Sequence, residues 1–348
     1  MMSFSPTFEA HAPLNHAIVG AIGTIREYRG KEALYRQQAP QVLETLRQVA
    51  VIQSVESSNR IEQVIAPPKR IRELVEKKTQ PQNRSEQEIA GYRDVLNVIH
   101  RDHDAIPFSP NVVLQFHRDL LAYAGTGGGG WKISDNTIAE IEPDGRRCLR
   151  FQPLPAYRTA EAMTELHGRF NETWEAGRIE PLLLIAAYVL DFLCIHPFAD
   201  GNGRMARLLS LLLLYRAGYG VGRFISLERI IEESKESYYE TLYACSQGWH
   251  EGRHDLAPWT EYFLGVVVRA YGAFEDRVGL ITQARGAKSE MVRAAIRTFA
   301  RPFAVRELQL SCPNVSIDLI RSVLRQEREA GRVEALGRGR DALWARRI

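Results

Sequence analysis

Between Ile195 and Arg207 the chain reads Ile-His-Pro-Phe-Ala-Asp-Gly-Asn-Gly-Arg-Met-Ala-Arg. The segment holds an imidazole, a carboxylate, two glycines and two guanidiniums, an inventory that suits a polyanion. A helix that starts at Asn202-Gly203 leaves its first backbone N–H groups unpaired and aimed at an anion, and its dipole favours negative charge there. Gly201 and Gly203 permit close backbone approach. Arg204 and Arg207, three apart, leave the first turns on one side and can each grip a different phosphate. Asp200 is a carboxylate among cations, and beside phosphates its use is to hold Mg²⁺. His196, followed by Pro197, can take a proton from an attacking hydroxyl.

The elements that must position these groups are helical. The apolar runs Pro181–Cys194 and Leu208–Tyr215 are too long and continuous for strands, so the motif connects two buried helices. Upstream, helical periodicity runs from Ile22 to Val64, with Pro40 at a second start. Residues 1–21 read as an extended arm. Ser58 and Glu62 stand one helical turn apart on one face, which by itself describes a capped, solvated helix end. Ser85-x-x-Glu88 reads as a capping box for a helix to about His103. His100 and His103 then fall on a charged, solvated face. Trp131–Ile138 and Arg147–Phe151 can pair as a hairpin around Pro143-Asp144-Gly145. Leu227–Ser246 reads as one helix carrying Tyr238. The glycine run 127–130 before Trp131-Lys132 is no Walker loop, because Ile133 stands where a Ser or Thr is needed.

Composition narrows the class. The 348 residues leave room for two or three domains, and 45% hydrophobic with 25% charged is ordinary for a globular protein. No apolar run reaches the ~18 residues of a membrane span. No basic segment followed by an apolar core opens the chain. Cys148, Cys194, Cys245 and Cys312 are scattered, as expected of reduced thiols in the cytoplasm. His250-x-x-x-His254 has metal spacing but no third ligand nearby, which argues against zinc. Charge is uneven. Residues 285–348 hold 14 Lys/Arg against 7 Asp/Glu, a net +7 in a chain of net +3. Three helical segments there precede two short strands around Gly337-Arg338-Gly339-Arg340, the order of a winged helix-turn-helix. Its third helix carries Arg321, Arg325 and Arg328. Nucleic-acid binding and protein docking both fit that stripe, with Glu327 and Glu329 interrupting it.

The twelve-position pattern H-P-F-x-D-G-N-G-R-x-x-R, filled by residues 196–207, resembles the signature of the Fic (filamentation induced by cAMP) domain family. The resemblance implies a mainly α fold: an all-helical core with a small β-hairpin flap, here followed by the winged helix-turn-helix. It divides the chain into an N-terminal helical region (1–107), a catalytic core (108–280) and the basic module (285–348). It implies a protein adenylyltransferase that uses ATP and Mg²⁺ and moves AMP to a Tyr, Thr or Ser hydroxyl of a target protein. His196 would be the general base and Asp200 the Mg²⁺ ligand. Gly201, Asn202 and Gly203 would form the anion hole, Arg204 would assist the diphosphate, and Arg207 would bind the γ-phosphate. Tyr238 matches a family tyrosine near the adenine. Ser58-x-x-x-Glu62 is similar to the family's inhibitory helix, [S/T]-x-x-x-E-[G/N], with Gln63 in place of Gly or Asn. Glu62 would then pair with Arg207, and de-AMPylation is a further activity of that state. A homodimer is also implied. Two alternatives remain: transfer of another phosphate-containing group, and a DNA-binding regulator whose body only senses nucleotide.

Overall fold

The computed structural model describes residues 3–4, 8, 12–38, 40–125, 127–141, 147–283, 287–299, 302–312, 315–337 and 342–347. It is mostly helical with two small antiparallel sheets, as expected. Two compact units form, one of residues 1–26 and 47–271, the other of 27–46 and 272–348.

The first unit is built around α7 (Pro181–Ile195), in which every residue from Leu182 to Ile195 is buried. A helix apolar on all sides belongs in the interior. Against it pack α6 (Ala156–Ala176), α8 (Asn202–Arg216) and α10 (Lys235–Ser246), while α4 (Arg84–Asp102) packs on α8 and α5 (Pro110–Leu120). The helix α1 (His16–Gln38) begins inside the segment read as an extended arm, and α2 (Pro40–Ile61) starts at its proline. The short α3 (Pro68–Val75) lies between α2 and α4, and the long α11 (Ala257–Gln283) follows α10.

Several local expectations need correction. α4 is capped by Asn83, whose side chain accepts Glu86 N–H at 3.0 Å, while the Glu86 carboxylate accepts Gln82 N–H at 2.9 Å. Ser85 is not the cap, and Glu88 is left for other work. His100 and His103 are interior groups. The Tyr215 hydroxyl shares a hydrogen bond of 3.2 Å with His100 Nδ1, and the His103 ring packs edge-on against Tyr215. Burial holds His100 down to about 3. The segment 227–246 is two helices, α9 (Leu227–Glu233) and α10, because the Ser234 hydroxyl donates back to Ile230 O at 2.8 Å.

The hairpin exists, but its first strand lies later than expected. β1 (Ile138–Ile141) pairs with β2 (Arg147–Phe151), Ala139 facing Leu149. The Pro143–Gly145 turn lies outside the described residues. Phe151 stacks on His250, and the Arg150 guanidinium sits 4.8 Å above the Tyr243 ring. Residues 131–137 form no strand: Lys132 and Asn136 bond to the α7–α8 connection, and Asp135 accepts Ala156 N–H at 2.7 Å.

The second unit has its own core of Val292, Ile296, Phe303, Leu308, Ile320 and Val323. α12 (Ala287–Thr298), α13 (Val305–Ser311) and α14 (Ile317–Glu329) accompany a sheet ordered β3 (Phe303–Ala304), β5 (Leu343–Arg346), β4 (Val333–Ala335). Ser316 caps α14 by accepting Leu319 N–H at 3.3 Å. Glu327 turns inward onto Arg293 and Arg332, at 3.0 and 2.6 Å. It therefore does not break the exposed row of Arg321, Arg325 and Arg328. Among the described residues no helix is long and apolar enough to cross a membrane.

Buried neutral imidazoles make the fold acid-sensitive. His167 Nδ1–H donates to Met163 O at 2.8 Å, and the Tyr188 hydroxyl donates to its Nε2 at 3.2 Å. Burial lowers its pKa to about 4, against ~6.5 in an unfolded chain. Between those values the unfolded chain binds a proton that the native state refuses, so stability falls as pH drops from ~6.5 to ~4. His167→Gln should flatten the fall in urea midpoint between pH 7.5 and 5. An unchanged slope would contradict the assignment.

Candidate active site

The site forms where α7 ends and α8 begins. His196 closes α7 in a left-handed conformation, φ 51° and ψ 61°, which is uncommon for a residue with a Cβ. Its Nδ1 lies 3.3 Å from Leu193 O. A carbonyl only accepts, so Nδ1 carries the proton and Nε2 keeps its lone pair. Burial, helped by the Lys132 ammonium, lowers the ring's pKa to about 4. The imidazole is therefore neutral at pH 7.

The loop that follows is closed by its own residues. Asn202 accepts Phe198 N–H at 2.9 Å and donates to Phe198 O at 2.7 Å. Its side chain is thus committed to the loop, and its backbone stands at the first position of α8. Gly201, at φ 83°, caps the helix in a region that favours glycine. The Asp200 carboxylate accepts Gly201 N–H at 2.6 Å and is otherwise exposed, at 59%.

His117, on α5, was not marked by any spacing. Its Nε2–H donates to Asp200 O at 3.1 Å, its Nδ1 accepts Gly129 N–H at 3.0 Å, and its ring stacks on Phe198 at 3.7 Å. Both nitrogens are occupied, and burial keeps the ring neutral, at about 4. Lys132 and Asn136 were missed as well. Both bond to the backbone of the 195–198 segment. A periodicity argument cannot find such residues, because their partners are carbonyls far along the chain.

The two motif arginines are buried, Arg204 at 1% and Arg207 at 4% exposure. Each receives a carboxylate from elsewhere in the chain, one on a helix and one in the turn after a helix. Arg204 donates to Glu88 on α4 at 2.6 Å and stands 3.6 Å from Asp200. Arg84 donates to the other Glu88 oxygen at 2.9 Å. Arg207 donates to Ser58 Oγ at 2.8 Å, Ser58 O at 2.9 Å and Glu62 Oε1 at 2.8 Å. Burial alone would depress Arg207, but the nearby Glu62 carboxylate, together with Tyr238 and Tyr92, more than offsets it and raises its pKa. Among the described residues, Arg204 Nε and Arg207 Nη1 are buried donors with no partner. An orphan donor at a helix N-terminus is a place for an anion's oxygen.

Glu62 reaches this point because α2 docks by its last turns. Ser54 donates to the buried Glu228 at 2.7 Å, and its hydroxyl lies 2.9 Å from that of Ser226. Arg60 pairs with Glu232 at 3.0 Å, and Lys235 Nζ donates to Ile61 O at 2.9 Å. The chain then turns through Gln63 at φ 62°. Gly203 supplies the space, since a Cβ there would overlap Glu62 Oε1. Tyr238 lies near Arg207. With Arg207, Ser210, Glu228, Trp259 and Tyr262 it borders a cavity of about 30 Å³, room for a water or two rather than for a purine. Among the described residues no group of three or more His, Cys, Asp or Glu could hold a metal by itself.

The overlap at Gly203 has a measurable consequence. Gly203→Ala should cost about 1–3 kcal/mol through steric conflict with Glu62. Most of that cost should vanish in a Glu62→Gly background, read by urea denaturation of all four proteins in the cycle. Additive effects would mean that the two residues do not meet.

Residues 107–214 match the Fic/DOC family. Protein adenylyltransferase fic-1 of Caenorhabditis elegans is 26% identical over 166 residues, 48% of this chain but only 28% of that protein. A Fido domain-containing protein of Dictyostelium discoideum is 29% identical over 121 residues, 35% of this chain and 78% of that protein. Among solved structures, a Fic family protein from Desulfovibrio desulfuricans superposes with a TM-score of 0.63 at 20% identity, covering 97% of this chain and 98% of that one. A portion of C. elegans Fic-1 gives 0.56 at 19% identity, covering 77% and 74%. With His196 to Arg207 inside the matched segment, the chain carries a Fic/DOC family domain at residues 107–214.

Proposed function

We propose that the protein is an adenylyltransferase that moves AMP from ATP to a Tyr, Thr or Ser hydroxyl of a target protein, and that Glu62 restrains it. The observation that carries this reading is the pairing of a neutral His196, its Nε2 free, with orphan donors on Arg204 and Arg207 at the start of α8. His196 Nε2 takes the hydroxyl proton as the target oxygen attacks the α-phosphorus. The new bond is O–P, and the bond between the α-phosphorus and the bridging oxygen to the β-phosphate breaks, so pyrophosphate leaves. The α8 N–H groups from Gly201 to Gly203, with Arg204, neutralise charge on the phosphates, and Arg207 takes the γ-phosphate. The donor set fits one Mg²⁺, because a single exposed carboxylate, Asp200, suits an ion whose remaining ligands are phosphate oxygens and water. Tyr238 is assigned to the adenine side.

In the conformation described, Glu62 holds Arg207 and lies against Gly203, where a phosphate oxygen would compete with it. Productive binding of ATP therefore requires the carboxylate to leave. Removal of AMP from modified targets is the activity assigned to the Glu62-engaged state. Glu62→Gly should raise AMP transfer at least tenfold, since one buried charge-assisted bond is worth about 1.5–3 kcal/mol. His196→Ala should abolish transfer. Labelling with α-³²P-ATP, and mass spectrometry for an AMP adduct, reads both. No gain in the Glu62→Gly protein would sink the restraint. Competition by UTP or CDP-choline that outruns ATP would reassign the transferred group.

A second reading concerns residues 285–348. Helices α12 to α14 with the β4–β5 hairpin fit a winged helix, and the exposed Arg321, Arg325 and Arg328 on α14 fit a row of phosphates. We propose duplex DNA as the partner of this face. Arg325→Ala should weaken binding alike on every sequence and lower the salt slope by about 1 in a gel-shift series. Equal retardation by full-length protein and by a chain lacking 285–348 would refute it.

A further inference from the structure

Every carbonyl from Phe192 to Phe198 has a donor. An α-helix leaves its last four carbonyls without an internal partner, and in α7 these belong to Phe192 through Ile195. Phe192 O accepts His196 N–H at 2.9 Å, and Cys194 O accepts Leu154 N–H at 3.4 Å. Leu193 O takes the His196 ring N–H. Ile195 O accepts from the Lys132 ammonium at 3.0 Å. Past the helix, His196 O and Phe198 O accept from Asn136 Nδ2 at 3.4 and 3.1 Å. Pro197 O accepts Lys132 N–H at 2.8 Å. Lys132 Nζ also donates to Asn136 Oδ1 at 2.8 Å, which ties the two residues together. Four successive carbonyls, 195 to 198, are thus held by two residues of one loop.

That segment contains a strained histidine. A left-handed backbone costs a residue with a Cβ about 1–2 kcal/mol, and it persists only where the surroundings enforce it. The Lys132 ammonium is buried, at 5% exposure, and lies at the C-terminal end of α7, where the helix dipole favours a cation. Two of its three N–H groups go to protein acceptors, Asn136 Oδ1 and Ile195 O. Burial lowers its pKa only to about 8, with Asp135 opposing the shift, and the group stays mostly charged at pH 7.

We propose that Lys132 and Asn136 are positioning residues for His196, holding residues 195–198 on the backbone path that keeps Nδ1 bonded to Leu193 and Nε2 free. The kinetic consequence rests on the transfer reaction proposed above, whereas the effect on the ring does not. In a Glu62→Gly background, Lys132→Met should lower kcat for AMP transfer about 100-fold, the scale of a 1 Å misplacement. KM for ATP should stay within about twofold, and Lys132→Arg should recover most of the rate. Nitrogen-15 spectra of the His196 ring should lose the single Nδ1–H form in Lys132→Met and keep it in Lys132→Arg. Asn136→Ala should shift rate and ring in the same direction, and it carries the test if Lys132→Met does not fold. Folded Lys132→Met with kcat within about twofold and an unchanged ring spectrum would overturn the proposal. So would a rate loss matched only by a lower unfolding temperature, with the ring unchanged. If Glu62→Gly with Lys132 intact transfers no AMP, the transfer reaction fails, and the ring spectra alone decide the role of the clamp.

Discussion

Two guanidiniums are buried within one turn of each other, and much of the first unit follows from that constraint. A buried cation without a partner is several kcal/mol unfavourable, so each must be met by a carboxylate or by hydrogen-bond acceptors. The helix that carries Arg204 and Arg207 has no carboxylate to offer. Glu88 arrives on α4 and Glu62 at the end of α2. The packing of α4 on α8 and the docking of α2 beside α9 are thereby tied to the chemistry of the motif. The two carboxylates differ in setting. Glu88 is 5% exposed and shares its oxygens between Arg204 and Arg84, whereas the Glu62 side chain is 31% exposed and hangs from a turn. One reads as a fixed counter-ion and the other as a removable one.

Groups that are close in sequence were legible before any coordinates. His196, Asp200, the two glycines and both arginines fall within one connection, so spacing alone predicts their convergence. Ser58 and Glu62 were legible as one helical face, but their partner Arg207 lies 149 and 145 positions away, and only family resemblance pointed to it. Glu88 was misread because a capping box and a buried counter-ion can share one position near a helix start. Asn83 won the cap, since its side chain reached the free N–H groups first along the chain. His117, Lys132 and Asn136 were invisible for a different reason. Their partners are backbone carbonyls and an N–H brought near by tertiary folding, and a backbone group leaves no mark on residue type.

The fold shows the same division. Long apolar runs and prolines located the helices well, because burial and φ restriction act locally. Failures came where a polar side chain overrode a propensity. Ser234 splits a helix by bonding backward, and Lys132 and Asn136 are spent on the α7–α8 connection rather than on a ladder. His100 and His103 were placed on a solvated face because they sit among charges. Tyr215, more than a hundred residues later, draws both rings inward.

Gln63 gives the turn beyond Ile61 a built-in set point. It occupies a left-handed position at φ 62°, where a glycine would sit without strain. The penalty is about 1 kcal/mol or more, and it is recovered by any state in which that turn relaxes. A difference of that size moves a two-state population about fivefold. One side chain that touches neither guanidinium thus weakens the turn that carries Glu62 relative to the same turn built with glycine, and under the restraint proposed above residue 63 is a position at which sequence drift can retune output without altering the chemistry.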